Sequence, residues 1–469
     1  MNEPENLPRS IAALATDLRE RRLSPVEVVS TLLERIESED AKLNAFVTVL
    51  PERALEEARR AEEEIQSGEY RGPLHGVPVG AKDLIYTEGV RTTMGSAFFE
   101  DYVPDHNATV LSKLEEAGAI LVGKTNTHEF AYGPTGDISA FGPTRNPHDL
   151  SRIPGGSSGG SGAAVAAELC YAALGSDTAA SIRVPAALCG VVGMKPTFGR
   201  VSKSGAFPLA WTLDHVGPIT RIVEDNALLL NVLAGYDEQD PYSVGKPTED
   251  FTRDLQRNAR GGVVGLPTNH YFEHVEDEVE RRVREAVEVF RSLGAEVREV
   301  EIPHLSEALK AQRIILAVEA YAIHEERLKN EPERFGDEIS ERLRDAEHLK
   351  AHRYAKAQQV TKRRSLKGFE RVLEEVDVLL TPTTPIAATK IGQREVKIGG
   401  HEELVFSALT RFTGPTNLNG LPSLSVPCGL THSGLPVGLQ IIGRPFDEAT
   451  VYRYGHAYET AASTESRPL

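Results

Sequence analysis

The chain has 469 residues, enough at roughly 150 residues per domain for three domains or one large α/β body, and too long to need covalent staples. Lys and Arg total 52 against 69 Asp and Glu, a formal charge of −17 that would repel nucleic acid and anionic membranes, so both partner classes are set aside. Cys170, Cys189 and Cys428 fit neither a disulfide framework nor a CxxC zinc site, which points to a reducing cytoplasm.

The opening residues Met1–Asn6 have no positive segment leading into an apolar run and do not read as a signal peptide. Ser24-Pro25-Val26-Glu27 is a capping box with proline at the first helical position, followed by Val28, Val29, Leu32, Leu33 and Ile36 at helical spacing. A second helix is expected from Pro51, its glutamates a solvated face. From Gly72 short apolar runs such as Val77-Pro78-Val79 and 119–122 alternate with helical stretches such as 108–117, which is α/β texture. Between 238 and 370 glycine becomes scarce and charged helices are expected at 275–293, 305–331 and 338–374. That pattern suits a helical insertion or cap over the substrate entrance. Core texture returns at 376–380, a strand by its composition. The stretch Thr413–Gly443 has no charged residue, but prolines, glycines and polar residues interrupt it, so it is packed irregular structure with strands rather than a membrane span.

The most unusual window is Pro154-Gly155-Gly156-Ser157-Ser158-Gly159-Gly160-Ser161-Gly162, which runs into a series of small residues. Such a loop lets backbone amides approach a ligand and sets hydroxyls at a helix mouth. As a phosphate cradle it lacks the closing Lys-Ser/Thr. As a G-x-S-x-G nucleophile elbow it lacks the preceding strand, since Ser151-Arg152-Ile153-Pro154 is not one.

Three segments, His75–Asp83, the glycine-serine window and Gly175-Ser176-Asp177-Thr178-Ala179-Ala180-Ser181-Ile182-Arg183, together resemble the amidase signature family of serine amidohydrolases. The resemblance extends to Gly123–Phe130, Gly193–Arg200 and Leu213–Pro218, covers most of residues 65–240, and reaches more loosely into 371–469. It implies one large α/β domain with a mixed, mostly parallel sheet covered by helices on both faces. By position it implies Ser181 as nucleophile, Ser157 as bridging serine behind a cis bond to Gly156, and Lys82 as base. It also implies an oxyanion hole from the backbone N–H groups of Thr178, Ala179, Ala180 and Ser181, with Asp177 and Arg183 as supports. Burial at a strand end would favour the neutral lysine that such a relay needs.

The sequence departs from the family at Ala179-Ala180, where a glycine pair is commonest. Alanine is strained there only if the backbone needs positive φ, and negative φ is expected. Tyr132, Gly133, Ser158 and Trp211 are candidate substrate-pocket or network residues. His75, His128 and His215 are read as packed residues rather than bases, Ser243–Lys246 as a chance S-x-x-K match, and no motif suggests a metal or other cofactor.

The expected activity is hydrolysis of a small aryl or aliphatic amide, with esters and carbamates as further substrates, through an acyl-enzyme and without cofactor. The chain is expected to act as a monomer or homodimer on a small molecule. One alternative is the glutaminase component of a tRNA-dependent amidotransferase, working beside a partner. Phe207-Pro208-Leu209-Ala210-Trp211 argues for the free-standing enzyme by its apolar bulk. Another alternative is an inactive scaffold of the same fold.

Overall fold

The computed structural model describes residues 7–462, so Met1–Asn6 and the absence of a signal peptide there lie outside the described residues. The strands in chain order are β1 (Phe46–Val49), β2 (Pro78–Lys82), β3 (Ile120–Thr125), β4 (Ala172–Asp177), β5 (Val192–Lys195), β6 (His215–Thr220), β7 (Val263–Pro267), β8 (Glu296–Val300), β9 (Val378–Pro382), β10 (Glu395–Ile398), β11 (His401–Leu404), β12 (Ser423–Leu430) and β13 (Pro436–Ile442). The β10–β11 pair is a separate hairpin; the other strands form one eleven-stranded sheet in the order β1-β3-β2-β4-β6-β5-β12-β13-β9-β7-β8.

This is a single α/β domain with a large mixed sheet flanked by helices. Parallel pairing holds in two wings, β3-β2-β4 and β9-β7-β8. Between them, from β4 through β6, β5, β12 and β13 to β9, neighbours run antiparallel. Connection length explains part of the division. The crossovers β2 to β3, β3 to β4 and β7 to β8 pass through the helices Thr109–Glu116, Gly159–Ala166 and Asp277–Ser292, whereas a short loop joins β12 to β13.

The N-terminal reading holds locally. The Ser24 hydroxyl accepts from the Val26 and Glu27 N–H groups while Glu27 accepts from Ser24 N–H, and the helix runs Pro25–Leu43. The next helix is Pro51–Ser67. Val28, Val29, Leu32 and Ile36 are buried while Leu33 is partly exposed.

Segment 238–370 is less uniform than a helical cap. Its first half supplies β7 and β8 to the sheet, and the helix Asp277–Ser292 packs on that wing. β8 escapes a hydrophobicity reading because it is an edge strand, and its Glu296-Val297-Arg298-Glu299-Val300 sequence is mostly solvated. The second half is helical, with Leu305–Asn330 continuous. The stretch expected as one helix over 338–374 is broken into Asp337–Glu347, Ala351–Lys356 and Lys362–Leu373, the last two joined by a π turn at Ala357–Thr361. The break follows Glu347, where the chain turns through His348 and Leu349.

Buried Glu319 on Leu305–Asn330 clasps the loop after β5. It accepts from Thr212 N–H (2.9 Å), Thr212 Oγ1 (2.7 Å) and Tyr354 O–H (2.8 Å), which ties Thr212 to the cap. Thr413–Gly443 contains the helix Gly414–Asn419, β12 and β13, and most of its polar residues are buried, with His432 and Ser433 exposed on the turn between the strands. Among the described residues no helix is long and apolar enough to cross a membrane.

Candidate active site

Two parallel neighbours bring the chemistry together. β2 pairs with β4 in the register Val79–Ala172 to Ala81–Leu174, so Lys82 at the end of β2 reaches the end of β4. Its Nζ lies 2.6 Å from Ser157 Oγ and 2.8 Å from Ser176 Oγ. Lys82 is wholly buried, and burial drops its pKa to about 7 against the opposing pull of the Asp177 and Asp214 carboxylates. A substantial fraction of this lysine is therefore neutral near neutral pH.

Ser157 arrives on the glycine-rich loop. The Gly156–Ser157 peptide bond is cis, and the Ser157 carbonyl accepts from His128 N–H (3.0 Å) and Thr127 Oγ1 (3.1 Å). The glycines serve close approach here. A Cβ on Gly156 would sit 2.6 Å from Gly136 N, and one on Gly160 would strike the Ala45 carbonyl oxygen. Ser158 is buried behind the site, its hydroxyl donating to Ser176 C=O (3.2 Å) and accepting from Ser176 N–H (3.3 Å). It ties loop to strand and is not among the residues lining the cavity around Ser181.

Ser181 follows β4 on a turn. Asp177, buried, accepts from Ile182 N–H (3.1 Å) and binds Arg183 through two contacts of 2.9 and 3.0 Å. Arg183 is also fully buried, donating to Thr416 Oγ1 (2.6 Å), Asn417 Oδ1 (2.6 Å) and Gln440 Oε1 (2.8 Å). Burial alone would raise the Asp177 carboxyl, but Arg183, Lys195 and Asn417 outweigh it and hold it below the ordinary range. Carbonyls on the turn are occupied. Thr178 C=O takes Gln312 Nε2 (3.3 Å), Ala180 C=O takes Val184 N–H (2.8 Å) and Ser181 C=O takes Ser158 N–H (3.3 Å). The N–H groups of Ala179, Ala180 and Ser181, in contrast, have no acceptor among the described residues. Neither alanine has positive φ, so the turn does not require the glycine pair.

Ser181 lines a cavity of about 260 Å³ with Tyr132, Gly133, Leu209, Leu316, Phe406 and Thr410 among its walls. None of its lining residues carries a charge. A larger cavity of about 680 Å³ adjoins it, the two sharing Ala131, Thr178 and Leu209. Trp211 lines this second cavity and is 41% exposed, so it is a rim residue and does not line the Ser181 cavity. Tyr132 and Gly133 are brought to Ser181. His75, His128 and His215 are pushed down by burial, and their ring nitrogens face Arg71 N–H with Glu64, Gly136 N–H, and the Leu213 carbonyl respectively.

The structure adds residues absent from the sequence reading: Ser176 against Lys82, Asp214 against the Thr178 hydroxyl (2.6 Å), the Thr416–Asn417–Gln440 cradle of Arg183, and the Leu316, Phe406 and Thr410 walls. Strand alternation could have flagged Ser176, which faces opposite to Asp177 on β4.

The Amidase family pattern matches residues 27–452 of the chain. The chain belongs to the amidase signature family. This member is 41% identical, over 97% of both chains, to a Geobacter metallireducens protein named as a component of glutamyl-tRNA(Gln) amidotransferase. Among solved structures it resembles one described as a vestigial protein complex bearing on the origins of an s-triazine catabolic enzyme (33% identity, TM-score 0.92, 96% of this chain and 98% of that one). It also resembles a bacterial aryl acylamidase of the amidase signature enzymes (31% identity, TM-score 0.89, 97% and 96%). As a member of this family the chain is a hydrolase that acts on carbon–nitrogen bonds.

Proposed function

We propose that the chain hydrolyses an uncharged carboxylic amide through an acyl-enzyme on Ser181. The observation that carries this reading is the 2.6 Å contact between a buried, readily neutral Lys82 and Ser157, next to a turn whose N–H groups lack protein acceptors. Neutral Lys82 takes a proton through Ser157 as Ser181 Oγ attacks the acyl carbon. The N–H groups of Ala179, Ala180 and Ser181 receive the oxyanion. The relay then runs in reverse to protonate the leaving amine, and water completes the cycle by the same path.

The cavity sets the substrate class. The walls nearest Ser181 are apolar or neutral, so an ammonium or carboxylate seated against them would be without partners, at a large desolvation penalty, whereas the adjoining cavity carries Lys203, Asp214 and Asp240. Small aryl or aliphatic amides fit this lining, as do esters and carbamates of similar size. Such an enzyme would act without a protein partner. The identity to proteins named as glutamyl-tRNA(Gln) amidotransferase components favours a second reading, a glutaminase that works beside a partner chain. The two readings share Ser181, Ser157 and Lys82 and differ in the charge of the substrate.

The purified chain, with Ser181→Ala as control, is assayed on aryl amides, primary aliphatic amides, aryl carbamates and glutamine. Turnover of the neutral compounds without glutaminase activity supports the first reading. Hydrolysis of glutamine alone overturns it in favour of the second.

A further inference from the structure

Lys82 has a hydroxyl partner that the acylation steps do not use. Its Nζ lies 2.8 Å from Ser176 Oγ, and Ser176 lines the 680 Å³ cavity, whereas Ser157 is fully buried. The main-chain N–H and C=O of Ser176 are both engaged by Ser158 Oγ, which fixes the strand while the Ser176 hydroxyl meets the lysine. The same cavity is lined by His215, whose Nε2 has no hydrogen-bond partner among the described residues and whose Nδ1 faces the Leu213 carbonyl at 2.7 Å. Nδ1 therefore carries the ring proton, and Nε2 is an open acceptor.

When the leaving group departs as an anion, as a nitrophenolate does, the proton taken from Ser181 stays on Lys82 and must leave before the amine can serve as base for the incoming water. Ser157 leads back to the acylated site, and Ser176 offers a second exit that does not pass through it.

We propose that Ser176 is a positioning and proton-relay residue that connects Lys82 to water in the 680 Å³ cavity while Ser181 is acylated. This rests on the Ser181–Ser157–Lys82 reading above. Protonated Lys82 passes one N–H proton to Ser176 Oγ as the Ser176 hydroxyl proton moves to a cavity water. Lys82 is left as the neutral amine, Ser176 as a hydroxyl, and the water leaves as hydronium. Asp177 and Asp214 favour the charged lysine and burial opposes it. Lys203, Asp214 and Asp240 line the cavity with His215; His128 N–H donates to the Ser157 carbonyl, Asp83 directly follows β2, and Lys124 stands on β3 opposite Ala81.

The test uses 4-nitrophenyl acetate with the wild type, Ser176→Ala and Ser176→Thr, measuring the first turnover by stopped flow separately from the steady state. In Ser176→Ala the first turnover is expected within about threefold of wild type and the steady state slower by about tenfold or more, within the range of general acid–base contributions. Added imidazole, a small proton carrier, restores the steady state of Ser176→Ala and leaves the wild type unchanged, and Ser176→Thr keeps the wild-type pattern. A steady state in Ser176→Ala equal to wild type, or both phases falling together without imidazole rescue, overturns the relay. If the wild type neither turns over the ester nor gives a fluorophosphonate adduct on Ser181, the reading of Ser181 has failed and the relay falls with it.

Discussion

Around Ser181 the charged groups are buried and paired with many partners; on the outer face of the helix Asp277–Ser292 they are exposed and paired with neighbours on the same helix. Arg183 and Asp177 are both without solvent exposure; Asn417 bonds both of them, and Arg183 also donates to Thr416 and Gln440. Arg281 and Glu285 form an i,i+4 pair that is 40% and 49% exposed. The first arrangement holds a turn rigidly, and the second adds little to stability. Substitutions should therefore matter in the first region and not in the second, because a buried ion left alone has no water to turn to.

The largest effect is expected at the proposed nucleophile. Ser181→Ala is expected to lower kcat by about 10⁴ or more, read on whichever amide of the panel is turned over, and a variant with a tenth of the wild-type rate would contradict the assignment. Next is the buried pair. Arg183→Met strands Asp177 and should cost about 3–5 kcal/mol in denaturant unfolding, whereas Arg281→Ala should leave the unfolding midpoint unchanged within error.

The pH dependence probes the same contrast. The proposed relay needs neutral Lys82, so the acid limb of kcat/KM is expected to rise with a midpoint near the lysine's pKa of about 7. The folded chain releases this proton at about 7 and the unfolded chain at the ordinary lysine value of 10.5, so between those pH values the unfolded chain binds the extra proton. Lys82 therefore makes stability rise with pH across that window, and Lys82→Met should remove this contribution from a pH series of unfolding curves. The smallest effect is expected at the oxyanion turn. Because neither alanine sits at positive φ, Ala180→Gly should change turnover by less than about twofold; a tenfold gain on every substrate would show that the alanines distort the hole.

The sequence made the local features legible. The capping box at Ser24, the strand ending in Lys82 and the glycine-serine loop are each written in neighbouring residues whose types permit few conformations. What it left hidden depends on contacts between distant segments. Asn417 reaches Asp177 and Arg183 across more than 230 positions, and no spacing announces it. β8 is disguised by the charges that an edge strand carries, and the broken cap helices by residues that favour helix throughout. Leu316, Phe406 and Thr410 are ordinary residues that become pocket walls only when the cap is laid over the sheet. Trp211, a candidate pocket residue by sequence, is partly exposed on the neighbouring rim, on a loop whose placement depends on distant contacts such as Glu319 to Thr212.

The most direct measurement maps by mass spectrometry the adduct that a fluorophosphonate leaves on the intact chain, in the wild type and in Lys82→Met. A single adduct on Ser181 in the wild type, lost or strongly slowed in Lys82→Met, is the expected result. Labelling at another serine, or equal labelling of Ser181 in the two proteins, would contradict a nucleophile activated by the buried lysine.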